Sequence, residues 1–243
     1  VAEKMGLPFQ CSYESAAILQ DKSRFRDFLR ANGFNCPNAK GYDSIEDALN
    51  DVRYFNLFVI VKPVDSAGSK GVTKVADPVA LPEAIRVALA ASVSKRFIIE
   101  DFLEKSGFSA GSESFVVDGK LVYNAFYDQY FDAESLHPYT PSAEIWPSVM
   151  PASYQDEIKS ELQRLIDLMG IKTGLFNVEC RVCTDGKPYL TVSEDLKVVN
   201  SVLMNKWTLG LVDTCRYFYR IHTVQQASLS SAAKLKENWY FPY

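Results

Sequence analysis

A buried strand that ends in a lysine and runs into a loop of small residues is the feature that most constrains this chain. Residues 59–72 read VIVKPVDSAGSKGV, an apolar run that reaches Lys62 and continues into a segment of Gly, Ser and Ala. Such residues let the backbone approach a phosphate closely enough for several N–H groups to converge on it. The segment therefore predicts a flexible flap over phosphate groups, with Lys62 as a point charge at the strand end. A surface hairpin loop, with Lys62 extending to solvent, is the alternative.

The predicted flap differs from the common phosphate-binding loops. A Walker A loop requires G-x-x-x-x-G-K-[ST] at the start of a helix, whereas Gly68 and Gly71 stand between two predicted strands. The sequence contains no G-x-G-x-x-G motif either. The remaining possibility for a phosphate-binding segment is a flap made of a strand, a loop and a second strand.

Helical and strand patterns alternate along the chain. Apolar residues at helical spacing, with capping residues at the ends, predict five helices, over 21–33, 44–55, 80–93, 153–170 and 200–220. Continuous or alternating apolar runs predict strands at 57–63, 72–75 and 96–103, and hairpins that turn at 118–119 and 185–186. Residues 132–153 are predicted to be an irregular connection whose length favours a functional loop. The predicted class is α+β with mostly antiparallel sheets.

Composition and charge exclude several classes of function. The 243 residues are 47% hydrophobic, enough for a packed core, and a formal net charge of −4 offers no basic field for nucleic acid or an anionic membrane. No apolar run approaches the roughly 20 residues of a membrane span, and no signal peptide opens the chain. Five scattered cysteines indicate a reducing compartment, which predicts a cytoplasmic protein. Cys180 and Cys183 form C-x-x-C without a second pair or a nearby His, so they are interpreted as packing residues.

Acidic residues follow two of the predicted strands and suggest further parts of a nucleotide site. Glu179 lies on one arm of a hairpin, and Glu194 and Asp195 end the other arm, so these carboxylates could share a Mg²⁺ ion bound to phosphates. The strand over 96–103 ends in acidic residues, where one backbone carbonyl and one N–H could meet an adenine edge. A solvated polar face is the alternative for each acid taken alone.

The order of these segments resembles the ATP-grasp superfamily, in the branch similar to biotin carboxylase, carbamoyl-phosphate synthetase and the amino-acid ligases. The resemblance covers roughly residues 10–220. It rests on SAAILQDKSRFRDFLRANGFNCP, VIVKPVDSAGSKGV, FIIEDFL, VVDGKLV, MGIKTGLFNVECRV and DGKPYL. It implies an ATP-grasp fold, in which two α+β lobes with antiparallel sheets clamp ATP. It also implies an upstream Rossmann-like domain, which we expect to be missing from a chain that starts at Val1.

The resemblance divides the chain and assigns site residues by position. It implies a linker over 1–20, a small lobe over 21–100, a large lobe over 101–220 and a tail over 221–243. The residues that match the family's cofactor-binding positions are Lys22, Lys62, Ser66, Ala67, Gly68, Ser69, Gly71, Glu100, Asp101 and Leu103. The expected catalytic residues are Lys62 and Arg181, the latter because it lies beside Glu179. The expected metal ligands are Glu179 and Glu194.

Two departures from the family pattern stand out. Ser109 occupies the place of the usual ribose-binding acid, for which Glu104 or Glu113 are the available substitutes. Where the family shows E-x-N-P-R, an ungapped match places Val192, Glu194 and Leu196 at the glutamate, asparagine and arginine positions. Side chains alternate along a strand, so Glu194 is expected on the same face as residue 192 and within reach of a metal.

The resemblance implies an enzyme, an ATP- and Mg²⁺-dependent ligase that joins a small-molecule carboxylate to an amine or a thiol through an acyl phosphate. Its implied partners are these small molecules, with no nucleic acid and no membrane, and a homodimer is left open. The altered stretch around 192–196 leaves two alternative functions open. One is an ATP-binding module with a regulatory or structural role, and the other is a small-molecule kinase on the same fold.

Overall fold

Two antiparallel sheets organise the part of the chain that the computed structural model describes, namely Met5 and residues 9–56, 58–135 and 138–192. The small sheet has the order β1-β4-β2-β3, and its strands are β1 Ala39–Tyr42, β2 Val59–Pro63, β3 Thr73–Val75 and β4 Phe97–Asp101. The large sheet has the order β7-β6-β5-β8-β9, and its strands are β5 Lys105–Val117, β6 Lys120–Phe131, β7 Pro141–Ile145, β8 Gly174–Cys183 and β9 Pro188–Val192. Every strand pair is antiparallel, which confirms the predicted class.

Five α-helices accompany the sheets in the described residues, with bounds α1 Tyr13–Gln20, α2 Lys22–Ala31, α3 Ile45–Asn50, α4 Leu81–Ala91 and α5 Ala152–Met169. Short 3₁₀ turns cover Val52–Tyr54 and Pro78–Ala80. The predicted caps are present: the Asp21 side chain accepts from the Ser23 and Arg24 amides at the start of α2, and Gly170 ends α5 with φ at 60°.

The two sheets are covered by different helices. Helix α4 packs on the small sheet, where Ile85 belongs to one buried cluster with Val61 of β2 and Phe97 of β4. The large sheet is covered by α5, and Leu162 of that helix shares a second cluster with Leu29 of α2. Helix α2 thus packs into the core of the large sheet although it precedes the small sheet in sequence.

The structure corrects the expectation for residues 132–153. This segment contains β7, which pairs with β6 and forms an edge of the large sheet. Pro141 is the first residue of β7, a place where a strand tolerates proline because the missing N–H breaks no ladder bond. Helix α1 lies in the stretch predicted as a linker, while the helix predicted over 200–220 and the tail over 221–243 lie outside the described residues.

The interpretation of Cys180 and Cys183 as packing residues is confirmed, since both are buried free thiols and Cys180 belongs to the large-sheet core. A search of the described helices for one with the length and apolar character of a membrane span finds none.

Candidate functional site

A buried group of three ions lies on the face of the small sheet that α2 covers. Along β2, Val61 enters the core under α4, and Lys62 points to the opposite side. Lys62 Nζ lies 2.8 Å from Oε2 of Glu100 on β4, and Arg26 Nε of α2 lies 2.9 Å from Oε1 of the same carboxylate. Only 3% of Glu100 and 4% of Arg26 are exposed. One carboxylate is therefore shared between two cations.

Within this ion group, the charged form of Glu100 is favoured and the charged form of Lys62 is disfavoured. Burial raises the pKa of Glu100, but Arg26 and Lys62 outweigh burial and lower that pKa to about 2. Burial lowers the pKa of Lys62 to about 8, and Glu100 compensates only in part because Arg26 and Lys22 add positive charge nearby. Lys62 thus carries its charge at neutral pH at a cost that an additional anion would relieve.

Lys22 meets the same region from the start of α2. Its backbone N–H donates to the Val64 carbonyl at 3.0 Å, which fixes the first turn of α2 beside the end of β2. Its ammonium donates to the Ser66 carbonyl at 2.8 Å. The structure therefore brings Lys22 and Lys62, 40 residues apart in sequence, to the base of one loop.

Residues 66–71, the flap, bridge the two sheets. The backbone there has φ at 67° for Gly68, 57° for Ser69 and 72° for Gly71, conformations that favour glycine. The Ser69 hydroxyl donates to the Tyr139 carbonyl at 2.9 Å, and the Thr140 hydroxyl donates to the Gly68 carbonyl at 3.3 Å. The tip of the flap is held by the connection between β6 and β7.

The segment after β4 crosses from the small sheet to the large one. The Glu100 carboxylate pairs with Arg26 and Lys62. The Asp101 carboxylate accepts from the backbone and side-chain N–H groups of Asn56 at 3.1 and 3.0 Å. No described residue accepts from the Leu103 amide, whereas the Glu104 carbonyl accepts from Thr184 at 2.9 Å. Side chains at 100 and 101 thus stabilise the fold, and an adenine contact here would fall to the backbone.

Polar side chains line one face of the large sheet. In the strand register, Glu179 of β8 lies opposite Gly111 of β5 and Thr191 of β9, and Arg181 lies opposite Ser109. Phe176, Val178 and Cys180 alternate with these positions and enter the core, so Asn177, Glu179 and Arg181 share the other face. The sequence predicted Glu179 on a strand, and the family resemblance placed Arg181 beside it; the strand register adds that both lie on one face.

Tyr127, Asn177 and Glu113 form a network that the sequence analysis did not predict, although it named Glu113 as a candidate ribose-binding acid. Asn177 Nδ2 donates to the Tyr127 hydroxyl and to Glu113 Oε1, each at 3.0 Å. The ring of Tyr127 packs against Trp146, with centroids 4.4 Å apart. Burial, and after it the charge of Glu144, raises the pKa of Tyr127 above its usual value. The period-2 spacing from Glu179 back to Asn177 was the available signal.

Two buried polar atoms on this face have no hydrogen-bond partner among the described residues, Nε of Arg181 and Oγ1 of Thr191. The register also sets Val192 opposite Val178, so Thr191 rather than residue 192 stands in line with Glu179. No group of three or more His, Cys, Asp or Glu side chains within the described ranges has the geometry of a metal site. Glu194, Asp195 and Leu196 lie outside those ranges.

Comparison with known proteins supplies an independent view of the same residues. A model of the ATP-grasp domain matches residues 55–193, which include the flap, the crossing segment and Glu179. The chain is 26% identical over 171 residues to the carbamoyl phosphate synthase large chain of Thermotoga neapolitana, spanning 70% of this chain and 15% of that protein. It is 32% identical over 203 residues to the D-alanine–D-alanine ligase of Parabacteroides distasonis, spanning 77% and 58%.

A solved structure shows the same fold at lower sequence identity. The biotin carboxylase domain of 2-oxoglutarate carboxylase from Hydrogenobacter thermophilus, described in complex with MgADP, ADP and bicarbonate, superposes with a TM-score of 0.63 at 16% identity. The superposition covers 81% of this chain and 45% of that chain. This chain spans 15% to 58% of the length of the two curated relatives compared above.

Proposed function

We propose a ligase function from one established premise, that the chain belongs to the ATP-grasp domain family. In the proposed reaction, a small-molecule carboxylate is joined to an amine or a thiol at the expense of ATP, with Mg²⁺ as cofactor. The D-alanine–D-alanine ligase relative joins two small molecules, which supports this class of reaction.

The observation that carries the proposal is the meeting of Lys22 and Lys62 beneath the flap. One carboxylate, that of Glu100, serves both Lys62 and Arg26, and Lys22 adds positive charge close to Lys62, so this region is suited to an anion. Burial and positive neighbours already lower the pKa of Lys62, so a phosphate would stabilise its charged form. The flap offers small residues whose amides can approach phosphates. We propose that residues 66–71 and the two lysines bind the triphosphate, and that the backbone of 101–104 meets the adenine.

The polar face of the large sheet offers one carboxylate, that of Glu179, as a proposed ligand for a magnesium ion. Mg²⁺ is usually held by one or two protein carboxylates together with substrate phosphates, so Glu179 can serve as one such ligand. The buried hydroxyl of Thr191, in register with Glu179, has no other described partner to orient it. Glu194 is proposed as the second carboxylate from the family match alone. Val192 lies opposite the core residue Val178, so the face that residues 192 and 194 were expected to share is not the face of Glu179. Glu179 would hold the ion, which would supply positive charge to the phosphates during transfer.

The side chains then have distinct proposed tasks. Lys62 and Lys22 hold the phosphates while the substrate carboxylate attacks the γ-phosphate of ATP, which forms an acyl phosphate and releases ADP. The amine or thiol then attacks the acyl carbon and displaces inorganic phosphate. Arg181 is proposed to stabilise the transferred group with its unpartnered guanidinium N–H. The flap, docked at Tyr139 and Thr140, excludes the water that would hydrolyse the acyl phosphate.

Release of ADP from MgATP, measured across a library of carboxylates combined with amines and thiols, tests the proposal. We expect at least one combination to stimulate release in the wild type and not in Lys62→Met, and a coupled product to appear by mass spectrometry. Tight nucleotide binding without stimulated release by any combination would instead favour the ATP-binding module. A stable phosphorylated product would favour the kinase.

A further inference from the structure

We propose that Arg26 is a positioning residue, which keeps Lys62 available to a phosphate by acting through Glu100 and without touching the nucleotide itself. This role rests on the proposed function of the nucleotide site and deepens it. Arg26 belongs to α2, Glu100 to β4 and Lys62 to β2, so three elements of the fold meet in one buried ion group.

The geometry divides the carboxylate between its partners. Oε1 of Glu100 accepts from Arg26 Nε at 2.9 Å, and Oε2 lies 2.8 Å from Lys62 Nζ. The two cations therefore do not compete for one oxygen, and either can leave while the other stays. Arg26 is nearly inaccessible, at 4% exposure, and its guanidinium stays protonated at any pH at which the protein folds.

The consequence appears when Lys62 turns from Glu100 to a phosphate. A buried carboxylate that loses its only cation is strongly unfavourable, since its charge is then neither solvated nor paired. With Arg26 in place, Glu100 keeps a partner after Lys62 has left Oε2. Without Arg26, Glu100 and Lys62 would form a neutral closed pair, and binding a phosphate would require that pair to break.

The charges around Lys62 point the same way. The groups that act on Lys62 are Glu100 from β4, and Arg26 and Lys22 from α2. After burial, Arg26 is among the causes that lower the pKa of Lys62, and Glu100 opposes it. Removing Arg26 should therefore raise the pKa of Lys62 and strengthen its attachment to Glu100.

The first test uses the full chain without nucleotide. The ammonium titration of Lys62 is followed by NMR and assigned by comparison with Lys62→Arg. We expect the midpoint to move up by at least half a pH unit in Arg26→Gln and to stay unchanged in Arg24→Gln. Arg24 lies on the same helix and pairs with the exposed Glu14, so it controls for loss of a charge from α2. An unchanged or lower midpoint in Arg26→Gln overturns the proposal.

The second test measures the affinity for a non-hydrolysable MgATP analogue and for inorganic tripolyphosphate. We expect Arg26→Gln to weaken both by at least tenfold and Arg26→Lys to weaken them less. The double variant Arg26→Gln/Glu100→Gln should recover most of the loss, because no carboxylate then remains to hold Lys62. A merely structural role for Arg26 predicts no such recovery, and absence of recovery overturns the proposal. If Arg26→Gln does not fold, Arg26→Lys and the double variant decide.

The outcomes separate this role from the function on which it rests. If the wild type binds neither the nucleotide analogue nor tripolyphosphate, the nucleotide site is wrong and this role falls with it. If the wild type binds both and Arg26→Gln binds them equally well, only the role of Arg26 is wrong.

Discussion

The ring of Tyr127 lies directly over Gly111, on the neighbouring strand, and a Cβ added to Gly111 would stand 2.3 Å from the tyrosine Cζ and hydroxyl oxygen. This close approach directs the hydroxyl to Asn177, which lies two residues before Glu179 on the next strand. The missing side chain at position 111 thus makes room for the network that borders the proposed metal ligand.

We expect Gly111→Ala to destabilise the fold by about 1–3 kcal/mol, because the added methyl group must displace the buried ring. Space alone decides the effect, since Gly111 does not have a positive φ. Urea unfolding measures the change. The cost should shrink markedly in a Tyr127→Leu background, where no ring occupies the space; equal costs in both backgrounds would contradict the structure.

The stability of the fold should fall in acid because of Glu100. Its pKa is about 2 in the folded chain against an ordinary 4.5, so the charged form is favoured by folding. The contribution is complete above about pH 4.5 and disappears as the pH falls towards 2, with a total of up to about 3 kcal/mol. Urea unfolding at several pH values checks this. Glu100→Gln should flatten the slope in that window, whereas Glu14→Gln, on the surface, should leave it unchanged.

Local sequence signals predicted most of the elements. Asp21, Ser44 and the Asp118-Gly119 turn act on neighbouring residues, and each has the predicted role: both side chains cap helices, and positions 118 and 119 have φ at 45° and 78°. Strand β7 was missed because its pairing with β6 is a contact that no local pattern encodes.

Some residues of the candidate site were likewise predicted from local sequence patterns, and others were not. Lys62 and the flap were predicted because a lysine before a run of small residues is unusual within a short window. Arg26 was missed because α2 also carries exposed arginines, which give it the look of a solvated face. The available signal was spacing: Arg26 precedes Leu29 by three residues, which places its charge on the buried side of the helix.

The flap should open more often when its two hydrogen bonds to the connection between β6 and β7 are removed. Each bond contributes about 1 kcal/mol, so Ser69→Ala or Thr140→Val should raise the open population about fivefold. Trypsin cleavage after the exposed Lys70, followed by mass spectrometry, reports that population. Ser142→Ala is the control, since its hydroxyl donates within the large sheet to Tyr130. Equal cleavage rates in all variants would show that the docking contacts do not hold the flap.

We expect Arg181 to contribute to catalysis without stabilising the fold. Its Nε is buried without a described partner, so Arg181→Met removes an unsatisfied group and should leave the free energy of unfolding unchanged or raise it by about 1 kcal/mol. If the guanidinium stabilises the transferred phosphoryl group, the same variant should lower kcat for ADP release roughly 100-fold with little change in the KM for ATP. Arg181→Lys should recover only part of kcat, because an ammonium lacks the planar fork. Lys187→Met, at the exposed turn of the same hairpin, is the matched control. A stable Arg181→Met variant with full kcat would remove Arg181 from the reaction.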